Sequence, residues 1–152
     1  MTNQAAQNYL RTKVLTATPE QLQLMLYDGA ITFLEQARLA LAKNNFEQSY
    51  TGISRAQKII AELTSSLRHE IAPDLCGKLA GLYNFVYRKL VEANVQHEMK
   101  SLDEALGILR YQRETWVMLM DKLGKTKAAA VATRIDMPAP HSAMEASISM
   151  QG

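Results

Sequence analysis

The residues of this chain that could carry catalysis or hold a metal are few: three histidines, one cysteine and 15 aspartates and glutamates among 152 residues. In a helical protein their most plausible joint use is a two-metal carboxylate centre. Such a centre takes inward glutamates and two Glu-x-x-His pairs, a spacing that puts both ligands on one helix face. The residues three before His69, His97 and His141 are Ser66, Asn94 and Pro138, so no histidine completes the motif. His97 falls beside Glu98 at a predicted helix end, where capping or solvation is its expected role. Cys76 has no cysteine to pair with, and its place in an apolar helical pattern suits a small buried filler. Glycine-rich phosphate loops, Cys-x-x-Cys pairs and serine elbows are absent from the sequence. The expectation is no enzyme, no metal, no cofactor, and a function in binding other macromolecules.

That function must then rest on apolar side chains and on the elements that position them. The most strongly marked element begins in Thr16–Ala30, TATPEQLQLMLYDGA. Thr18 is placed to cap a helix, Pro19 suits the first helical position, and Gln21 completes a Thr-x-x-Gln capping box. Glu20 adds negative charge at the positive end of the helix dipole. At 100° per residue, Leu22, Leu24, Leu26, Tyr27, Ala30, Ile31, Phe33, Leu34, Ala37 and Leu41 fill an arc of roughly 200°, about twice what a bundle helix needs. The arc accommodates two packed neighbours, or one neighbour and a partner that comes and goes.

This first long helix runs to about Lys43, where Asn44-Asn45 supplies a stop and the next N-cap, with Gln48 at the third position. Phe46, Tyr50, Ile53, Ile60, Leu63 and Leu67 trace the apolar stripe of a second helix. Pro73 and Asp74 open a third, with Leu75, Leu79, Leu82, Val86, Leu90 and Ala93 on one side. A second row, Cys76, Tyr83 and Tyr87, reads equally as core edge or groove wall. Ser101 with Glu104 forms another capping box, followed by Leu102, Ala105, Leu109, Trp116, Met120 and Leu123, and Gly124 suits the position just past a helix end. Trp116 is expected to be buried and structural. Four helices of about 22 to 25 residues, roughly 33–38 Å each, joined by short loops, predict an all-α, antiparallel up-down-up-down four-helix bundle over residues 18–124. Residues 1–17 form an N-terminal arm, helical or extended, whose Tyr9, Leu10, Val14 and Leu15 dock on the bundle. Over residues 125–152 Ala, Ser, Met and Pro dominate and the apolar period is lost, which predicts a disordered C-terminal tail.

Charge is nearly balanced, 17 Lys and Arg against 15 Asp and Glu, with no basic face to suggest nucleic acid or an anionic membrane. No apolar run reaches the length of a membrane span, and MTNQAAQNYLRTKVL lacks the apolar core of a signal peptide. A soluble cytoplasmic protein without stable membrane insertion is expected. Eight methionines suit surfaces that repack around a partner, although Met137, Met144 and Met150 fall in the tail.

Tyr9 and Val14 ahead of TATPEQLQLMLYDGA, then AQKIIAEL at Ala56–Leu63, LYNFVYRKLVEAN at Leu82–Asn94, and ETWVMLM around Trp116 resemble, in order and spacing, the flagellar export chaperones called FliS. The resemblance covers roughly residues 9–121. It implies a helical bundle that captures the C-terminal segment of newly made flagellin, prevents its premature polymerisation in the cytoplasm and delivers it to the flagellar type III export gate. The expected flagellin groove and lid comprise Tyr9, Leu10, Val14, Leu24, Tyr27, Ile31, Tyr50, Ile53, Tyr83 and Tyr87, the N-terminal tyrosine region being implicated in client binding in the family. In that reading the arm closes over the groove and flagellin displaces it. The rival expectation is a structural or regulatory bundle that uses the wide face of its first long helix to form a homodimer.

Overall fold

A computed structural model describes the backbone of residues 2–135 and the side chains of residues 3–126. Five helices make up this part: α1 (Thr2–Thr16), α2 (Pro19–Ala42), α3 (Phe46–Ser65), α4 (Pro73–Gln96) and α5 (Met99–Ile135). No strand occurs among the described residues. The chain divides into two compact units, residues 1–115 and 116–152, and the bundle lies in the first.

Local chemistry sets most of the boundaries. The Thr18 hydroxyl accepts from Gln21 N–H at 3.1 Å while the Gln21 amide accepts from Thr18 N–H at 2.9 Å, so the capping box forms as expected. The Asn45 side chain accepts from Gln48 N–H at 3.3 Å and starts α3. Asn44 takes a left-handed conformation, φ 57°, which asparagine tolerates better than most residues. Pro73 occupies the first turn of α4, where its missing N–H leaves no helical bond unmade.

Pairings across the helices fix an antiparallel bundle. Gly29 faces Ile59 and Gly52 faces Phe33 and Ala37, so α2 and α3 run in opposite senses. The rings of Phe46 and His97 stack at 3.9 Å, joining the start of α3 to the end of α4. Ion pairs Arg38–Asp103, Glu35–Arg110 and Asp28–Arg113 set α5 antiparallel to α2. The core between them holds Ala30, Leu34, Ala37 and Leu41 of α2, Ile53, Ala56, Ile60 and Leu63 of α3, Tyr83, Val86, Leu90 and Ala93 of α4, and Leu102, Ala105, Leu106 and Leu109 of α5.

Four expectations are corrected. Ser101 does not cap a helix: α5 begins two residues earlier, at Met99, and Ser101 is buried within it. His97, in the left-handed conformation at φ 53° and ψ 42°, makes the whole turn, so Glu98 already accepts from Leu102 N–H. Gly124 does not end a helix either. None of the described glycines has positive φ, the following residues include a run of alanines that favours helix, and α5 continues to Ile135. The first part of the expected tail is therefore helical, and residues 136–152 lie outside the described residues. The inward face of α4 departs from the predicted one in its first half: Val86, Leu90 and Ala93 are buried as expected, but there Cys76 and Tyr83 are in the core, whereas Leu75 is 59% exposed. Finally, burial on α5 stops at Leu109, and no residue from Arg110 to Thr126 is buried.

Trp116 is accordingly only partly buried, not enclosed as expected. Trp116→Ala is expected to cost clearly less than the about 3–5 kcal/mol typical of an aromatic truncated in a closed core. Chemical denaturation of the variant measures this, and a loss in the full core range would show the side chain to be enclosed after all.

Candidate partner-binding surface

The ten expected site residues separate by burial. Tyr27, Ile31, Ile53 and Tyr83 lie in the core, because each points along the inner stripe of its helix. Tyr9, Leu10, Val14, Tyr50 and Tyr87 are exposed, and Leu24 is half-buried at the edge of α2. In this conformation a partner can reach the second group and not the first.

The exposed members sit on two surfaces. Tyr9, Leu10 and Val14 are on α1, which is an intact helix: no proline or glycine interrupts residues 2–16. Leu10 and Lys13 lie over the outer face of α2 and line a shallow depression with Met25, Gly29, Thr32 and Phe33. That is where the wide apolar arc of α2 goes. Its inner part, from Ala37 round to Ile31, packs in the core, and its outer edge at Phe33 meets α1. Docking is partial, since Tyr9 remains 69% and Leu15 77% exposed. The two-residue connection Ala17-Thr18 leaves α1 close to α2 while committing little of its surface.

Tyr50 and Tyr87 belong to the flank where α3 meets α4. On α4, Tyr87, Val91 and Val95 are all exposed and, at four-residue spacing, form one row. On α3, Phe46 and Tyr50 do the same, and Phe46 is anchored by the His97 ring.

A third apolar surface escaped the sequence reading. Leu82 and Phe85 of α4, with Gly107, Ile108 and Tyr111 of α5, line an open depression of about 560 Å³. A methyl group added at Gly107 would meet nothing within 4 Å, so the floor of the depression is open there. Leu82 follows Leu75 and Leu79 at helical spacing and is expected with them on the core side. In the structure Leu82 is only half-buried, because in this half of α4 the core position goes to Tyr83, whose hydroxyl bonds Tyr27.

Electrostatics around these surfaces are paired and mild. Lys89 bridges Glu92 and Glu104 beside the depression, and Asp103 at its rim is held by Arg38 at 2.7 Å. The hydrogen bonds that Arg38 donates to Asp103 and Arg113 to Asp28 raise the pKa values of the two arginines, which keeps these guanidiniums charged at any ordinary pH. Tyr83 is the one buried titratable group with a large shift: burial first, then the Tyr27 hydroxyl 2.6 Å away, push its pKa up. Among the described residues no cluster of three His, Cys, Asp or Glu could hold a metal, and no helix is long and apolar enough to cross a membrane. What the surface offers is apolar grooves between helices, the type of site that takes the apolar face of an amphipathic helix.

Comparison with known proteins agrees. The profile of the family described as "Flagellar protein FliS" matches residues 1–123. The chain is 34% identical over 108 residues to the flagellar secretion chaperone FliS of Bacillus subtilis, covering 71% of this chain and 80% of that protein. It is 31% identical over 118 residues to the FliS of Salmonella typhimurium, covering 77% of this chain and 87% of that protein. A crystal structure of a bacterial flagellar chaperone shares the fold at a TM-score of 0.65 and 20% identity, over 80% of this chain and 99% of that one.

Proposed function

Because the chain belongs to the FliS family of flagellar secretion chaperones, we propose that it is a cytoplasmic export chaperone that binds the C-terminal segment of flagellin, prevents its premature polymerisation and delivers it to the flagellar type III export gate. The observation that carries this reading is the exposed apolar side chains on either flank of α4, with Tyr87, Val91 and Val95 towards α3 and Phe85, beside the half-buried Leu82, towards α5. A client that is unfolded when free and helical when bound must hide an apolar face as it folds, and ordering it costs about 2–5 kcal/mol or more. Several grooves around one bundle supply the wrapped area needed to offset that cost. Mixing the chain with the C-terminal segment of a flagellin should give a one-to-one complex by size exclusion with light scattering. Substituting Phe85 and Tyr87 with serine should weaken it by at least tenfold, about 1.4 kcal/mol. Absence of a complex with the unaltered chain would refute the reading.

The arm belongs to the same mechanism. Leu10 and Lys13 lie over the outer face of α2, and partial burial of such side chains is worth about 1 kcal/mol or a little more at about 25 cal/mol per Å², offset by the backbone entropy lost on docking. A closure that weak acts as a lid, shielding apolar surface in the free chaperone and giving way to a client that buries more. Deleting residues 1–15 is expected to raise binding of a hydrophobic dye, and flagellin is expected to change amide exchange between Tyr9 and Val14. Unchanged dye binding together with unchanged exchange would leave the arm without a lid function.

A further inference from the structure

We propose that this chain exchanges α5 with a second copy of itself, forming a dimer in which each bundle is completed by the partner's α5. The hinge is the two-residue connection His97-Glu98 between α4 and α5. His97 holds a left-handed conformation, φ 53° and ψ 42°, which a side chain with a Cβ adopts at a steric cost. Turning His97 and Glu98 together to the right-handed helical conformation straightens the turn and runs α4 into α5, carrying α5 away from its own bundle. Short hinges under strain are the known setting for such exchange.

What α5 would leave and regain is defined. Among the described residues its buried side chains all lie in its first part, Ser101, Leu102, Ala105, Leu106 and Leu109. Four ion pairs tie it to its neighbours: Arg38–Asp103, Glu35–Arg110 and Asp28–Arg113 towards α2, and Lys89–Glu104 towards α4. Every one of these contacts re-forms with the same partner residue when α5 comes from a second copy, so the exchanged dimer differs from the monomer chiefly at the hinge. Against the hinge strain stands a latch. The His97 ring stacks on Phe46 at 3.9 Å, and the backbone N–H groups of His97 and Glu98 both donate to the Ala93 carbonyl. The monomer and the dimer are therefore close in free energy, and concentration selects between them.

The charged seam between α2 and α5 provides the test. One variant carries Asp28→Arg with Glu35→Arg, the other Arg110→Glu with Arg113→Glu, so that within each chain like charges face each other. Unfolded together in denaturant and refolded as a mixture, they are expected to form a heterodimer by size exclusion with light scattering, because in the exchanged dimer both seams pair opposite charges again. In the unaltered chain, His97→Gly and His97→Ala both lose the ring stack, and only His97→Gly also removes the steric cost, so His97→Ala is expected to raise the dimer fraction and His97→Gly to keep it below that of His97→Ala. The two variants should differ by about tenfold or more in dimerisation constant. Circular dichroism confirms that each variant is folded. A mixture that stays monomeric, or a heterodimer whose yield is the same with His97→Gly as with His97→Ala in both chains, overturns the exchange.

Discussion

Replacing Gly52 with alanine is expected to destabilise the bundle by about 1–3 kcal/mol, the usual cost of forcing an extra methyl into a packed interface. Helix propensity alone forecasts the opposite sign, since alanine is favoured over glycine in a helix interior by about 1 kcal/mol. Packing decides the matter. A Cβ at Gly52 would lie 2.8 Å from the Phe33 carbonyl oxygen and 3.0 Å from the Ala37 Cβ. The first of these is backbone of α2 and cannot move aside as a flexible side chain would. The two helices would have to separate, and Ala37 and Ala56, both fully buried, would lose contact with the facing helix. Gly52→Leu should go further and leave little folded protein at ordinary temperature. Urea denaturation of Gly52→Ala and, as a control, of Gly77→Ala makes the comparison direct, because a methyl at Gly77 meets nothing within 4 Å and should be neutral or stabilising. Equal stability of the two variants would show that α2 and α3 are not as closely apposed as described.

The second large effect is expected at the buried tyrosine pair. Tyr27 is 2% and Tyr83 1% exposed, and their hydroxyl oxygens lie 2.6 Å apart. Gln23 Nε2 donates to the Tyr27 oxygen at 3.4 Å. Changing Tyr27 to phenylalanine leaves the Tyr83 hydroxyl without that bond in the core, at about 1–3 kcal/mol, whereas Tyr83→Phe leaves the Tyr27 oxygen its bond from Gln23 and should cost less. Changing both removes the polar demand together with its partner, so the double variant should be destabilised by much less than the sum of the single ones. A double-mutant cycle with no coupling would mean that the two hydroxyls are satisfied separately.

The same pair has a pH signature. Tyr83 has its pKa raised above the ordinary 10.0, chiefly by burial and then by its bond to Tyr27. In the unfolded chain it ionises near its ordinary value, so above that pH the unfolded state releases a proton that the folded state retains. The contribution of Tyr83 to stability is thus fully present below about pH 10 and is lost progressively as pH rises above it. Tyr83→Phe is expected to flatten the alkaline fall in stability. An alkaline fall as steep in the variant as in the parent would assign it to other groups.

These two sites also mark what could be foreseen from residue order and what could not. The capping box at Thr18 and Gln21, the stop at Asn44-Asn45 and the proline at the start of α4 act over three or four residues of backbone, and the sequence alone was enough to place them. The number of helices in the bundle and their antiparallel order follow from period and loop length, which are also local. Ser101 and Gly124 misled because capping residues and glycine are permitted in helix interiors. Their local preferences were outweighed by a left-handed turn at His97 and by helix-forming residues after Lys125.

The facing of each helix is a different kind of quantity. On α4 the sequence offers two apolar rows, and turning the helix by a fraction of a turn buries either one. The choice fell to Tyr83, because its hydroxyl finds the hydroxyl of Tyr27 in the core, a contact 56 positions away in the chain. That facing exposes Phe85, leaves Leu82 half-buried and forms the depression with Ile108 and Tyr111, which no window of sequence contains. Burial of Ile53, Tyr27 and Tyr83 removed them from the surface for the same reason. By itself the sequence determined the family and the helices, since these depend on residue order and short-range spacing. Only the tertiary structure decided which apolar side chains meet each other and which are left for a partner, because an amphipathic helix states that it has a face and not what the face is turned towards.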